Sequence, residues 1–224
     1  GDVYKRQGYD NGKFGAEFGY GRFQDAERSM DHYHWENSAS IESWYGKLTG
    51  HFGESSAVSA FYLKNVQGLD GNSVDPDIKG AHVHAWGAGA TIDLGDSGLN
   101  IDGDFIQTRG NRDLGHANLW TAGLNYGKVD LNKPGSFTLG VHYVRADAGA
   151  YLLGNSALDM TDQLEYGWDN GTGVKFWVAK AGVAVQKNVE LDAYYNFGAK
   201  AFDRYDDSTK DPANTWGVEL NYAF

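Results

Sequence analysis

From Trp216 onward every second residue is apolar. Trp216, Val218, Leu220, Tyr222 and Phe224 alternate with Gly217, Glu219, Asn221 and Ala223. Successive side chains of a strand point to opposite faces, so this segment presents one face to an apolar medium and one to water. The same period recurs at 12–23, 42–53, 81–94, 98–109, 117–129, 136–147, 174–186 and 189–201. In 189–201, for example, Val189, Leu191, Ala193, Tyr195 and Phe197 oppose Glu190, Asp192, Tyr194, Asn196 and Lys200. Segment 57–66 is a further strand whose facing the sequence leaves open, which brings the count to ten. Most are near the roughly 9–11 residues of a tilted membrane strand. Aromatic residues fall preferentially near strand ends on the apolar face, as interface girdles require.

The joins carry a second pattern. Counting back from Phe224, short joins near Lys187-Asn188, Leu131–Gly135, Gly95–Ser97 and Gly53–Ser56 alternate with long ones at 202–213, 148–172, 110–116, 67–80 and 24–41. Outer-membrane barrels have short periplasmic turns and longer external loops. A soluble antiparallel β protein also alternates, but has no reason to keep its long loops at one end. The expected fold is therefore all-β, a transmembrane antiparallel up-and-down β-barrel. About ten strands are present, the C-terminal part of a barrel of about 16. The C-terminus is then periplasmic and the long loops extracellular. Loop 148–172 is expected to hold a helical turn around Leu152–Leu158.

Composition narrows the classes. No apolar run approaches the roughly 20 residues of a spanning helix. Mean hydropathy of −0.53 is compatible with barrel strands, whose faces average out. A net charge of −11 argues against a nucleic-acid surface, which wants a basic stripe. The absence of cysteine removes disulfides, thiolate catalysis and Cys-ligated metals. The opening stretch, residues 1–7, reads as translated adapter sequence, which leaves 8–224 as an N-terminally truncated barrel domain.

The terminal stretch Trp216–Phe224 resembles the C-terminal assembly signal of outer-membrane proteins. Val218, Leu220, Tyr222 and Phe224 match it, and the resemblance implies reading by the barrel-assembly machinery. Phrases such as Asn125-Tyr-Gly-Lys128 and Val189-Glu-Leu-Asp-Ala-Tyr-Tyr195 are similar to the porins of diderm Firmicutes, whose barrel follows an S-layer-homology domain. That resemblance implies a passive channel for ions and small hydrophilic solutes, set in outer-membrane lipid and able to form a homotrimer. No residue here is assigned to peptidoglycan binding.

Strand parity then assigns a water-facing wall. Glu17, Asp93, Asp102, Asp104, Glu190, Asp192 and Glu219 share it with Lys13, Lys47, Lys180 and Lys200. The excess of acids, gathered near the short turns, implies a weak cation preference. The alternative is that these charges only keep a wide lumen wet. Glycines at 15, 19, 87, 89, 123, 140, 182 and 217 share this wall and argue against a filled lumen. The rival function is a structural anchor or surface-receptor barrel that works through its external loops.

Catalysis and metal binding have little to stand on. The seven histidines are scattered, and Gly154-Asn-Ser-Ala-Leu158 is not a nucleophile elbow. His82 and His84, and His32 and His34 beside Asp31, read as wetted surface histidines. Asp70, Asn72, Asp75 and Asp77 lack the Gly and distal Glu of a calcium loop. The sequence therefore predicts no catalytic residues, no metal and no cofactor.

Overall fold

The computed structural model describes residues 5–24, 41–53, 55–66, 84–109, 116–150, 158–203 and 208–223. Eleven strands form one antiparallel up-and-down sheet whose spatial order is the chain order. They are β1 (Lys5–Asp10), β2 (Phe14–Gln24), β3 (Ile41–Phe52), β4 (Ser56–Asn65), β5 (His84–Asp93), β6 (Leu99–Arg109), β7 (His116–Gly127), β8 (Phe137–Ala146), β9 (Gly173–Gln186), β10 (Val189–Phe202) and β11 (Thr215–Tyr222). Among the described residues one α-helix, α1 (Leu158–Asp169), lies between β8 and β9. No described helix is long and apolar enough to cross a membrane, which says nothing of strands.

Three sequence expectations need correction. The count of ten strands misses β1, whose six residues are all exposed and whose only large apolar side chain is Tyr9. It carries no alternation, and pairing of Lys5–Asp10 with Gly15–Tyr20 holds it. Lys5, Arg6 and Gln7, read as part of the leader, form its first half. The helix is longer and later than the turn expected around Leu152–Leu158; residues 151–157 lie outside the described set. The alternation of joins is also less strict. β7 stops at Gly127, which has φ 78°, a left-handed value that glycine adopts without strain. Asp130 then organises the next residues, accepting a hydrogen bond from the Asn132 amide at 2.9 Å. The join 128–136 is consequently longer than 110–115 at the other end.

The chain falls into two compact units. The first takes in β1 to β3, nearly all of β4, the first part of β5 and the last part of β6. In it Phe14, Phe18, Leu48, Phe52, Val58 and Tyr62 are exposed, while Gly15, Gly19, Ser43 and Asn65 are buried. The facing of 57–66 is thereby resolved. Val58, Ala60, Tyr62 and Lys64 are exposed, and the residues alternating with them are less so. Rings run across the exposed face, from Phe18 to Trp44 at 6.4 Å, to Tyr62 at 5.5 Å and to His84 at 6.2 Å.

The second unit holds the last part of β5, most of β6, β7 from Asn118 onward, β8 to β11, and α1. Leu124, Leu139, Val141, Trp177, Leu191, Tyr195 and Val218 are exposed on one face. The other face carries Gly123, His142, Val144, Phe176, Val178 and Asn196, all buried. Rings again cross the exposed face, from Trp120 to Tyr143 at 5.1 Å and on to Trp177 at 5.0 Å. Nearer the short turns Tyr126 and Phe137 are 6.1 Å apart.

The core sits under α1. Leu164, Gln163 and Gly167 form the buried stripe of the helix. Val174, Phe176 and Val178 of β9 and Val144 of β8 are each no more than 1% exposed. Burying side chains of that size stabilises by about 1.5–3 kcal/mol each. A Cβ on Gly167 would lie 3.0 Å from the Thr172 carbonyl oxygen and 3.1 Å from Val174 Cγ1, so the contact needs glycine. Gln163 donates to the Ala213 carbonyl at 2.8 Å, and Tyr166 donates to that of Lys210. α1 is thus fixed both to β9 and to the segment that leads into β11.

Candidate functional site

The face opposite the exposed apolar one carries most of the polar side chains singled out by parity. In the first unit Glu17 stands opposite Lys47 across β2 and β3. Its carboxylate accepts hydrogen bonds from the Arg6 guanidinium and the Tyr45 hydroxyl. Tyr45 can lie flat because Gly19 is beneath it; a Cβ there would fall 2.2 Å from Tyr45 Cε1. At the short-turn end His51 Nε2 meets Asp10 Oδ2 at 3.0 Å. Lys13 sits between β1 and β2, outside both strands.

In the second unit Asp102 belongs to a network that spans three strands. Asn125 donates from Nδ2 to Asp102 Oδ1 and, at 2.9 Å, to Asn100 Oδ1. That fixes Asn125 Oδ1 as the acceptor facing His142 Nε2, also at 2.9 Å. His142 Nδ1 lies 3.4 Å from Asp102 Oδ2. Both ring nitrogens therefore meet oxygen acceptors, and the side chain is 9% exposed. Lys180 adds a favourable electrostatic contribution to Asp102. The ring again rests on glycine: a Cβ at Gly123 would be 2.3 Å from His142 Nδ1, and one at Gly140 would be 2.4 Å from Asn125 Oδ1.

Three acids gather around the β9–β10 turn and β11. Asp192 stands opposite Glu219 and accepts a hydrogen bond from Asn221 Nδ2 at 2.9 Å. Glu190 shares a face with Asp192, and both carboxylates approach Gly182, with Asp192 at 2.6 Å and Glu190 at 3.1 Å from a Cβ built there.

Asp93 and Asp104 are both exposed. Asp93, the last residue of β5, accepts from the Gly95 amide at 2.8 Å. Asp104 is exposed, and its backbone amide donates to Thr121 Oγ1 at 3.2 Å.

Lys200 is the one wall residue that lies on the other face. Between Phe197 and Lys200 the β9–β10 register shifts, and Gly198 adopts φ 63°. A bulge puts two residues opposite one and thereby flips the parity of the remainder of the strand. Lys200 consequently pairs with Lys175, on the side of Trp177, and forms a 2.8 Å ion pair with Asp211.

Of the terminal apolar residues, Val218, Leu220 and Tyr222 are exposed on the same side as Trp216. Phe224 lies outside the described residues, as do His32, His34, His82 and the 67–80 acids. His84 is on the apolar side beside Tyr62. Among the described residues no group of three His, Asp or Glu could hold a metal ion.

The sequence pattern does not reveal Arg6, Tyr45, Asn125 or the docking of α1. Its glycines also mean something different. Gly19, Gly123, Gly140, Gly182 and Gly217 do not leave the face bare but seat the side chain of a neighbouring strand. One signal was present for α1. Val174, Phe176 and Val178 occupy the parity that is polar elsewhere in β9 and β10, and such an apolar patch needs a cover. No family model matches the chain, and no curated protein matches it.

Proposed function

We propose that the chain is part of an outer-membrane β-barrel that conducts ions and small hydrophilic solutes passively, with a weak preference for cations. The observation that carries this reading is the direction of the apolar face. In a water-soluble protein the large apolar residues of a two-faced sheet turn inward. Here Phe18, Leu48, Trp86, Leu124, Leu139, Trp177 and Trp216 are exposed, while the alternate side holds the ionic and amide networks. A lipid phase removes that mismatch. Ring rows toward both strand ends match the girdles of a membrane barrel. The cation preference rests on Glu190, Asp192 and Glu219, which form no ion pair among the described residues and lie close to the short turns.

On this reading the short turns are periplasmic, the lipid is that of the outer membrane, and the assembly machinery reads Val218, Leu220, Tyr222 and Phe224. The resemblance to S-layer-homology-tethered porins, and a homotrimeric state, belong to the same proposal. One observation favours the rival, an anchor or receptor barrel: α1 and the side chains seated on glycine both cover part of the polar face.

Purified protein in planar bilayers separates the two. Stepwise conductance is expected, with a reversal potential displaced toward the cation side. Replacing Glu190, Asp192 and Glu219 together by Gln, Asn and Gln should move that potential toward zero. Folded, inserted protein that carries no current would overturn the channel reading in favour of the anchor. A clear anion preference would overturn the charge argument alone.

A further inference from the structure

At the long-join end of the apolar face, three cations stand in one cross-strand row. Arg145 of β8 is directly opposite Lys175 of β9, and Lys175 is directly opposite Lys200 of β10. The next row toward the strand centres is aromatic, with Tyr143 opposite Trp177 and Trp177 opposite Phe197. Trp120 of β7 completes the cation row on its other side, opposite Arg145.

This arrangement works against folding. Like charges directly opposite one another on a sheet repel. Among the described residues the repulsion is relieved at the flanks. Lys200 pairs with Asp211 at 2.8 Å, and Arg145 sits 3.8 Å from Asp147 with its guanidinium carbon 4.4 Å from the Phe202 ring centre. Lys175, in the middle, has no ion-pair partner among the described residues. Lys200 joins the row only because the Gly198 bulge turns it there. Without the bulge it would point to the opposite face.

We infer that Arg145, Lys175 and Lys200 form a docking row for the phosphate groups of lipid headgroups. The inference rests on the reading that the apolar face meets a membrane. An apolar face edged by Trp and Tyr places the headgroup level just beyond the rings, which is where this row lies. Long basic side chains there keep their stems on the apolar surface and their charges among the phosphates. Arg145 and Lys200 remain 42% and 61% exposed despite their acidic neighbours, so each keeps charge available to a ligand.

The test uses the full chain, folded into vesicles of phosphatidylcholine alone or with one part in five phosphatidic acid. Lipid retained after mild detergent extraction is then counted by native mass spectrometry. Wild type should retain phosphatidic acid in preference to phosphatidylcholine. Lys175→Gln, which breaks no ion pair among the described residues, should lower that preference about fivefold, and the triple Gln variant should abolish it. Insertion into pure phosphatidylcholine, read by tryptophan fluorescence, should be unchanged in every variant. A wild type that inserts without lipid preference, or a triple variant that keeps it, overturns the docking row and leaves the membrane reading intact. Equal displacement of the lipid by millimolar inorganic phosphate overturns the lipid as its source. Failure of wild type to insert at all overturns the membrane reading and the row together.

Discussion

Replacing Gly123 by Ala should damage this protein far more than replacing Gly46 by Ala. Both glycines lie within strands and neither has a positive φ. At Gly46 the nearest atom to a new Cβ is the Glu17 carbonyl oxygen at 3.9 Å, an ordinary contact. Loss of unfolded-state freedom should then leave the change neutral or stabilising by up to about 1 kcal/mol. At Gly123 the new Cβ would sit 2.3 Å from His142 Nδ1, 2.5 Å from Cε1 and 2.9 Å from Asp102 Oδ1. The imidazole has little room to yield, because Asn125 holds its far nitrogen at 2.9 Å and the side chain is 9% exposed. Overpacking costs about 1–3 kcal/mol, and each hydrogen bond broken as the ring shifts adds about 0.5–1.5 kcal/mol. A difference of about 3 kcal/mol between the two variants is expected, on the order of a hundredfold in the folded-to-unfolded ratio. Guanidinium titration of vesicle-folded protein, followed by tryptophan fluorescence, measures it. Equal midpoints and slopes for the two variants would refute the idea that the glycines are seats.

Two other outcomes are expected from the geometry. Asp162 is exposed on the side of α1 opposite the buried Gln163–Leu164–Gly167 stripe, so Asp162→Cys in this cysteine-free chain should react with a bulky thiol reagent and lower single-channel conductance. Complete labelling by mass with unchanged current would show that α1 stands clear of the pathway. Gly198→Val places a β-branched residue at φ 63° and should cost about 1–3 kcal/mol; an unchanged unfolding midpoint would show that the bulge is not strained by a side chain.

How much of the molecule is legible in its sequence depends on the range of each physical signal. Strand positions and faces were legible because period two is local: Trp177, Val183 and Leu191 announce their side without reference to any other strand. β1 was not, because an exposed strand containing Gly8 has no face to advertise, and only pairing with β2 holds it. Lys200 was misplaced because one bulge reverses parity, and Gly198 looks like any other glycine until its φ is known. The networks were partly legible. Asp102 and Glu17 stood out as charges on the polar parity, but Asn125 and Tyr45 acquire their roles only through register, which sets Asn125 opposite Gly140 and Tyr45 opposite Gly19. α1 depended on a tertiary contact that its own composition does not specify.

The strand order has a consequence for how such a chain can change size. Every strand neighbours the ones before and after it in sequence, with no crossover. The hairpin is therefore the unit of growth. Duplicating β9 and β10 with their two-residue turn Lys187-Asn188 would leave every other strand running as before and every join at its own end. Inserting a single strand would invert all the later ones, and would send the joins that are now long to the side of the short ones. A lineage of such proteins can widen or narrow by twos far more readily than by ones.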